Sequence, residues 1–139
     1  FRHLVEMRGL TREIEIDSAG THDYHVGDPP DRRAVVAAAR AGYDLIRLRG
    51  RQVSLDDFRK FDYVLAMDME NLMLLQRQCP PEHRAKLGLF MSYAKNHRER
   101  EVPDPYYGNA EGFQIVLRMA EDAAEGLLEE IMKRRKLAG

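Results

Sequence analysis

The segment EVPDPYYGN, from Glu101 to Asn109, holds an acid and two aromatic rings on a backbone that proline stiffens. Two prolines flank Asp104, and each fixes its own φ and restricts the residue before it. The segment is too rich in proline for a helix, so we predict a rigid loop. A pre-positioned carboxyl group suits a general acid. Tyr106 and Tyr107 would form the sides of a binding slot for a flat aromatic ring. An ordinary Pro-Asp turn with half-packed tyrosines is the alternative.

The one cysteine, Cys79, invites comparison with a phosphate-binding cysteine loop because Arg84 follows it in the stretch CPPEHR. Such a loop cradles an oxyanion with successive backbone N–H groups at a helix N-terminus. Pro80 and Pro81 have no N–H group, and Glu82 would repel a phosphate. The cysteine also falls at the predicted C-terminal end of a helix, where the dipole opposes a thiolate. We therefore predict that Cys79 is structural or incidental and not a nucleophile.

Two further parts of the sequence contain residues that could belong to a site. His22 and His25 share a loop with Asp23 and Asp28, but no recognised metal-ligand spacing is present. We therefore predict solvated histidines, no metal site and no cofactor. Ser18 ends a predicted strand, and it is either a turn serine or a supporting residue of a ligand site.

The elements that must position these residues alternate along the chain. Apolar periodicity, caps and glycine stops predict helices over 1–9, 31–42, 54–61, 69–79 and 112–136, and strands over 13–18, 63–68 and 86–93. This order predicts an α/β fold with a parallel sheet. Ligands bind at the carboxyl ends of parallel strands, so the loops after Ser18, Asp68 and Tyr93 are the ones of interest.

Composition limits the classes of function. The 139 residues are 44% apolar and 32% charged with a net charge of −1, which is typical of one soluble globular domain. This charge gives no general attraction to nucleic acid or to an anionic membrane. No apolar run approaches the roughly 20 residues of a membrane span. A lone cysteine fits a reducing compartment, so we predict a cytoplasmic protein.

Four stretches taken in order resemble the low-molecular-weight protein tyrosine phosphatases. They are IDSAGT, GDPPD, RQVSLDDFRKFDYVLAMDMENL and VPDPYYG, and a long amphipathic helix follows the last of them. The resemblance runs from about Phe1 to Ile131. Asp-Pro-Tyr-Tyr-Gly is its most specific element.

This resemblance implies one three-layer domain, a four-stranded parallel sheet flanked by helices, and metal-free hydrolysis of phosphotyrosine proteins or small aryl phosphates. A cysteine thiolate attacks phosphorus in that family. Asp104 corresponds to its general acid, and Tyr106, Tyr107 and Tyr24 to residues around the substrate ring. Ser18 corresponds to the serine that supports the phosphate loop. We expect a monomer or a weak homodimer.

The sequence departs from the family pattern at its start. The family nucleophile lies in an N-terminal Cys-x5-Arg loop that the 139 residues do not contain. We therefore expect this chain to lack the first strand, which is central in the family's sheet, and to be inactive alone. An omitted segment, a truncation or a genuine variant would each explain this. The alternatives are a non-catalytic module that binds phosphotyrosine or protein, and, more weakly, arsenate reduction on a related scaffold.

Overall fold

A computed structural model describes residues 1–22, 26–103 and 110–135 of the chain. Two short strands are found within these residues, β1 (Val64–Ala66) and β2 (Leu87–Leu89). The α-helices there are α1 (Arg2–Met7), α2 (Arg32–Arg40), α3 (Leu55–Lys60), α4 (Met69–Gln78) and α5 (Ala110–Arg135). Turns of 3₁₀ helix flank β2, at Pro81–Lys86 and Phe90–Tyr93.

Capping residues precede α2 and α3, and a glycine follows α2. Asp31 precedes α2 and accepts a hydrogen bond from the backbone N–H of Arg33 at 2.8 Å. The backbone N–H of Ser54 donates to Asp57 at 2.8 Å at the start of α3, where the two residues form a capping box. Gly42, after α2, has a φ of 94°, a conformation that glycine adopts without strain.

The two strands pair in parallel. Val64 faces Leu87, Leu65 faces Gly88 and Ala66 faces Leu89. The α/β class with a parallel sheet is therefore confirmed, and both strands lie inside the apolar runs predicted to form them. The four-stranded arrangement stays a prediction, because the described residues contain these two strands.

The strand predicted over residues 13–18 was wrong as a paired element. Ile14 and Ile16 are half-buried against α1 and α5, whereas Glu15 and Asp17 are exposed, so the alternation does identify the inward face. A strand also needs a hydrogen-bonding neighbour. Within the described part of the chain the ladder contacts of this region begin only at Gly20, which forms an isolated parallel bridge with Gln52.

The sheet separates two apolar clusters. Ala66 and Leu89 pack with Phe58 of α3 and Leu75 of α4. Leu65, on the other face of β1, packs against a cluster centred on α5. The buried members of that cluster are Phe90, Met91, Met119, Ala123, Ala124, Leu127 and Ile131. Helices thus cover the β1–β2 pair from both sides, and the loops at its ends are left to carry function.

None of the helices in the described ranges is both long enough and apolar enough to cross a membrane.

Candidate functional site

The first turn of α4 stands at the carboxyl end of β1 and is the centre of the candidate site. Asp68 is the N-cap, and its Oδ1 accepts a hydrogen bond from the backbone N–H of Asn71 at 2.7 Å. The backbone of Asp68 is extended, as an N-cap requires. Its side chain supplies the hydrogen-bond acceptor that the helix itself cannot offer to its first N–H groups. The abrupt change from strand to helix follows from this residue.

The loop after Ser18 reaches this turn through Thr21. The side-chain amide of Asn71 donates a hydrogen bond to the Thr21 hydroxyl at 3.1 Å. Gly20 holds the start of the loop, because its N–H donates to the carbonyl of Arg51 at 2.8 Å and its carbonyl accepts from Val53 at 2.9 Å. The loop thus starts from a fixed base.

The segment that leads into the proline-rich motif reaches the same turn. The Glu101 carboxylate accepts a hydrogen bond from the backbone N–H of Met69 at 2.7 Å. The N–H of Val102 donates to the carbonyl of Met67 at 2.8 Å. The described parts of the three loops therefore meet at one edge of the sheet, where ligands bind in parallel sheets.

An arginine supports the base of the first loop. Arg51 makes a two-pronged ion pair with Asp57, at 2.9 and 3.0 Å, and a further contact with Asp17 at 3.2 Å. The pKa of Asp57 lies below its usual range, chiefly because its carboxylate accepts hydrogen bonds from Arg51. This effect outweighs burial, which raises the pKa. The pKa of Arg51 is raised, chiefly by the same bond. The Arg51–Asp57 pair stays charged, and it links the start of the loop after Ser18 to α3.

Ser18 is the one predicted site residue that the structure describes. It is exposed, and its backbone N–H donates to Oδ1 of Asp17 at 2.8 Å. Because Asp17 is itself held by Arg51, the backbone at Ser18 is fixed from one side. The other predicted site residues, Asp104, Tyr106, Tyr107 and Tyr24, lie outside the described residues.

Cys79 lies where the sequence predicted, directly after the last residue of α4. It is 3% exposed, and its thiol donates a hydrogen bond to the carbonyl of Pro80 at 3.4 Å. Burial raises the pKa of this thiol, so little thiolate forms at neutral pH. A buried, protonated thiol suits packing and not nucleophilic attack.

Within residues 1–22, 26–103 and 110–135, no three His, Cys, Asp or Glu side chains are grouped to hold a metal ion. His22 is exposed in this part of the chain, while His25 and Asp23 lie outside it. The sequence prediction of solvated loop histidines is therefore tested for His22 alone.

Sequence reasoning missed the contacts that gather the loops. Glu101 contacts a residue 32 positions away, and Thr21 one that is 50 positions away. Hydrophobic periodicity reports faces of one element and carries no signal for such pairs. The Ser54–Asp57 spacing does carry a signal, that of a capping box, but it does not reveal that Arg51 also binds Asp57.

Comparison with known proteins gives a consistent result. The sequence model described as "Low molecular weight phosphotyrosine protein phosphatase" matches residues 1–137. A "Low molecular weight protein-tyrosine-phosphatase" of Streptomyces coelicolor is 40% identical, over 94% of this chain and 81% of the relative. A "Low molecular weight phosphotyrosine protein phosphatase" of Schizosaccharomyces pombe is 39% identical, over 94% and 84%.

The fold agrees with these sequence relatives. A crystal structure of a protein tyrosine phosphatase from Entamoeba histolytica superposes with a TM-score of 0.92 at 34% identity. The match covers 98% of this chain and 86% of that one.

Proposed function

Because the chain belongs to the low molecular weight phosphotyrosine protein phosphatase family, we propose that its parent protein hydrolyses phosphotyrosine monoesters through a cysteinyl-phosphate intermediate. Asp104 is the general acid in this proposal. Tyr106, Tyr107 and Tyr24 flank the substrate ring, and Ser18 supports the phosphate loop. These three roles rest on the resemblance of the motifs.

One structural observation carries the proposal furthest. The first turn of α4 holds the base of both loops to which these roles belong, through Asn71 with Thr21 and through Met69 with Glu101. Asp104 follows the anchored Val102 by two residues in the sequence, and Tyr24 follows Thr21 by three. A proton donor and aromatic side chains that act on one substrate must be held in a fixed relation to each other, and a shared attachment point on α4 provides this.

The proposed chemistry has two steps. A cysteine thiolate attacks phosphorus, the bond from phosphorus to the phenolic oxygen breaks, and the Asp104 carboxylic acid gives its proton to that oxygen. Water then attacks the cysteinyl phosphate while the Asp104 carboxylate takes a proton, and phosphate and thiolate are released. Cys79 is buried with a raised pKa, so the proposal assigns the thiolate to a cysteine outside the 139 residues.

The proposal includes the finer features that the resemblance implies. They are the four-stranded, three-layer sheet, a single domain, metal-independent turnover in the cytoplasm, and a monomer or weak homodimer. The substrates are phosphotyrosine proteins or small aryl phosphates, and nucleic acid and membrane have no part. The parallel β1–β2 pair and the fold likeness support the sheet.

The decisive experiment uses the natural full-length protein. Its intact mass is first compared with the 16.1 kDa of the 139 residues, to establish whether further residues can carry a nucleophile. Hydrolysis of p-nitrophenyl phosphate is then measured in EDTA for the wild type, Asp104→Asn and the control Asp56→Asn. Asp56 is exposed and pairs only with Arg59 in the described structure. We expect Asp104→Asn to lower kcat by about a hundredfold or more, and Asp56→Asn to leave it unchanged.

Two results would count against this assignment. Full activity in Asp104→Asn removes the aspartate from the mechanism. Binding of a phosphotyrosine peptide without turnover by the full-length wild type favours a non-catalytic binding module instead. The 139-residue chain alone, assayed in parallel, is expected not to turn over.

A further inference from the structure

The contact between Glu101 and the first turn of α4 suggests a role that the motifs alone do not assign. We propose that Glu101 is a positioning residue, which fastens the segment before Asp104 to α4 and so sets the reach of the general acid. This inference rests on the proposed function for its catalytic consequence. The contact itself is independent of that function.

The geometry gives Glu101 a specific partner. Its Oε2 accepts from the backbone N–H of Met69, the first residue of α4, at 2.7 Å. That N–H is one of the donors that a helix cannot satisfy internally. A carboxylate there also interacts favourably with the positive end of the helix dipole. The bond is charge-assisted, and such bonds are stronger than those between neutral groups.

A second hydrogen bond makes the attachment directional. The N–H of Val102 donates to the carbonyl of Met67, the first residue after β1, at 2.8 Å. Glu101 and Val102 are thus attached on either side of Asp68. Glu101 binds Met69 through its side chain, and Val102 binds Met67 through its backbone. The backbone bond alone would leave a hinge at residue 102, and the Glu101 carboxylate restricts rotation about it.

The neighbourhood of Glu101 shows that the contact is selective. Its neighbours Glu99 and Arg100 are also exposed and charged. Neither makes a hydrogen bond or ion pair within the ranges 1–22, 26–103 and 110–135. Glu101 is therefore distinguished by its partner and not by its charge, and Glu99 offers a matched control two residues away.

The test separates positioning of the acid from stability by varying the leaving group. Phenyl phosphate needs its leaving oxygen protonated, whereas 2,4-dinitrophenyl phosphate loses a stabilised phenolate with little help from an acid. The ratio of kcat/KM for these two esters is measured in the full-length protein for the wild type, Glu101→Ala, Glu101→Gln and Glu99→Ala. Hydrogen exchange of the Met69 amide is followed in the same proteins.

We expect Glu101→Ala to lower kcat/KM for phenyl phosphate about tenfold and to leave the dinitrophenyl ester within about twofold. The Met69 amide should exchange faster in this variant. Glu101→Gln keeps an acceptor oxygen and should recover part of both effects, because a neutral acceptor bonds more weakly than a carboxylate. Glu99→Ala should match the wild type in both measurements.

An unchanged ratio of the two esters in Glu101→Ala would overturn the proposal, and so would an equal loss for both. An unaltered exchange rate at Met69 would overturn the contact itself. A full-length wild type that hydrolyses neither ester would refute the proposed function, while the exchange rate would still report whether Glu101 fastens the segment to α4.

Discussion

Asp122 of α5 accepts a hydrogen bond from the ring of His97, with 2.6 Å between Oδ2 and Nδ1. The same carboxylate accepts from the backbone N–H groups of Lys95, at 3.0 Å, and Asn96, at 2.9 Å. An ionised carboxylate only accepts hydrogen bonds, so the ring nitrogen is the donor. One buried acid on α5 thus organises the chain where it leaves the turn after β2.

Asp122→Asn should destabilise the protein by about 2 kcal/mol at pH 7, since an amide cannot accept all three hydrogen bonds. Burial by itself raises the pKa of Asp122, but the bonds from His97, Lys95 and Asn96 outweigh it and hold the pKa below its usual value. A lowered folded-state pKa gives stability that is present above the unfolded-state value and is lost as the pH falls through the folded-state value.

The measurement is urea unfolding of the wild type and Asp122→Asn between pH 7 and about pH 3, a range that includes the unfolded-state pKa of about 3.9. The difference in free energy of unfolding should shrink as the pH falls. Asp62→Asn is the control, because Asp62 forms an exposed ion pair with Arg135. A pH-independent difference for Asp122→Asn would contradict the linkage.

Arg51→Met should lower the free energy of unfolding by about 2 kcal/mol, because it leaves the buried Asp57 without its cation. Arg51→Lys should give an intermediate loss, since an ammonium cannot reproduce the two parallel bonds. Arg59→Met is the control, because Arg59 and its partner Asp56 are both exposed on α3, and it should cost less than about 0.5 kcal/mol. Equal losses for Arg51→Met and Arg59→Met in chemical denaturation would refute the argument.

Local sequence signals predicted the local structure well. Ser54 and Gly42 marked the start of α3 and the end of α2, and two short apolar runs contained β1 and β2. Each of these signals acts within a few residues of its effect.

Prediction failed where structure depends on a distant partner. The alternation at Ile14 and Ile16 identified the buried face, but pairing requires a neighbouring strand that a local pattern cannot specify. The bond from Met69 to Glu101 likewise joins residues far apart in the sequence. Of the predicted site residues, Ser18 alone lies in the described ranges, and the roles of all five remain predictions.

Gly126→Ala should be strongly destabilising although alanine favours helices. A Cβ at Gly126, on α5, would overlap the backbone carbonyl of Tyr93, so the helix and the turn after β2 would have to separate. We expect a loss of about 3 kcal/mol in the free energy of unfolding, despite a propensity gain near 1 kcal/mol. Gly112→Ala is the control on the same helix.

Within the described residues, no heavy atom other than those of its chain neighbours and of the backbone of α5 lies within 4 Å of a Cβ at Gly112, so that substitution should be neutral or stabilising in thermal unfolding. If Gly126→Ala lowers Tm and Gly112→Ala does not, the close approach of α5 to the turn after β2 depends on the missing side chain at Gly126. A Gly126→Ala variant with unchanged Tm would show that the turn at Tyr93 yields easily.

Cys79→Ala should leave phosphatase activity of the full-length protein unchanged. The thiol is 3% exposed among Phe58, Leu75 and Leu89, and burial raises its pKa, so it is poorly placed to attack phosphorus. The substitution should instead lower the free energy of unfolding by about 1 kcal/mol through lost packing.

Kinetics with p-nitrophenyl phosphate and urea unfolding measure the two effects separately. Labelling supplies a further check, because an aromatic disulfide reagent should modify the Cys79 thiol of the folded 139-residue chain far more slowly than that of the urea-unfolded chain. Abolished turnover in Cys79→Ala with intact stability would make Cys79 the nucleophile. The assignment of the thiolate to a cysteine outside these residues would then fall.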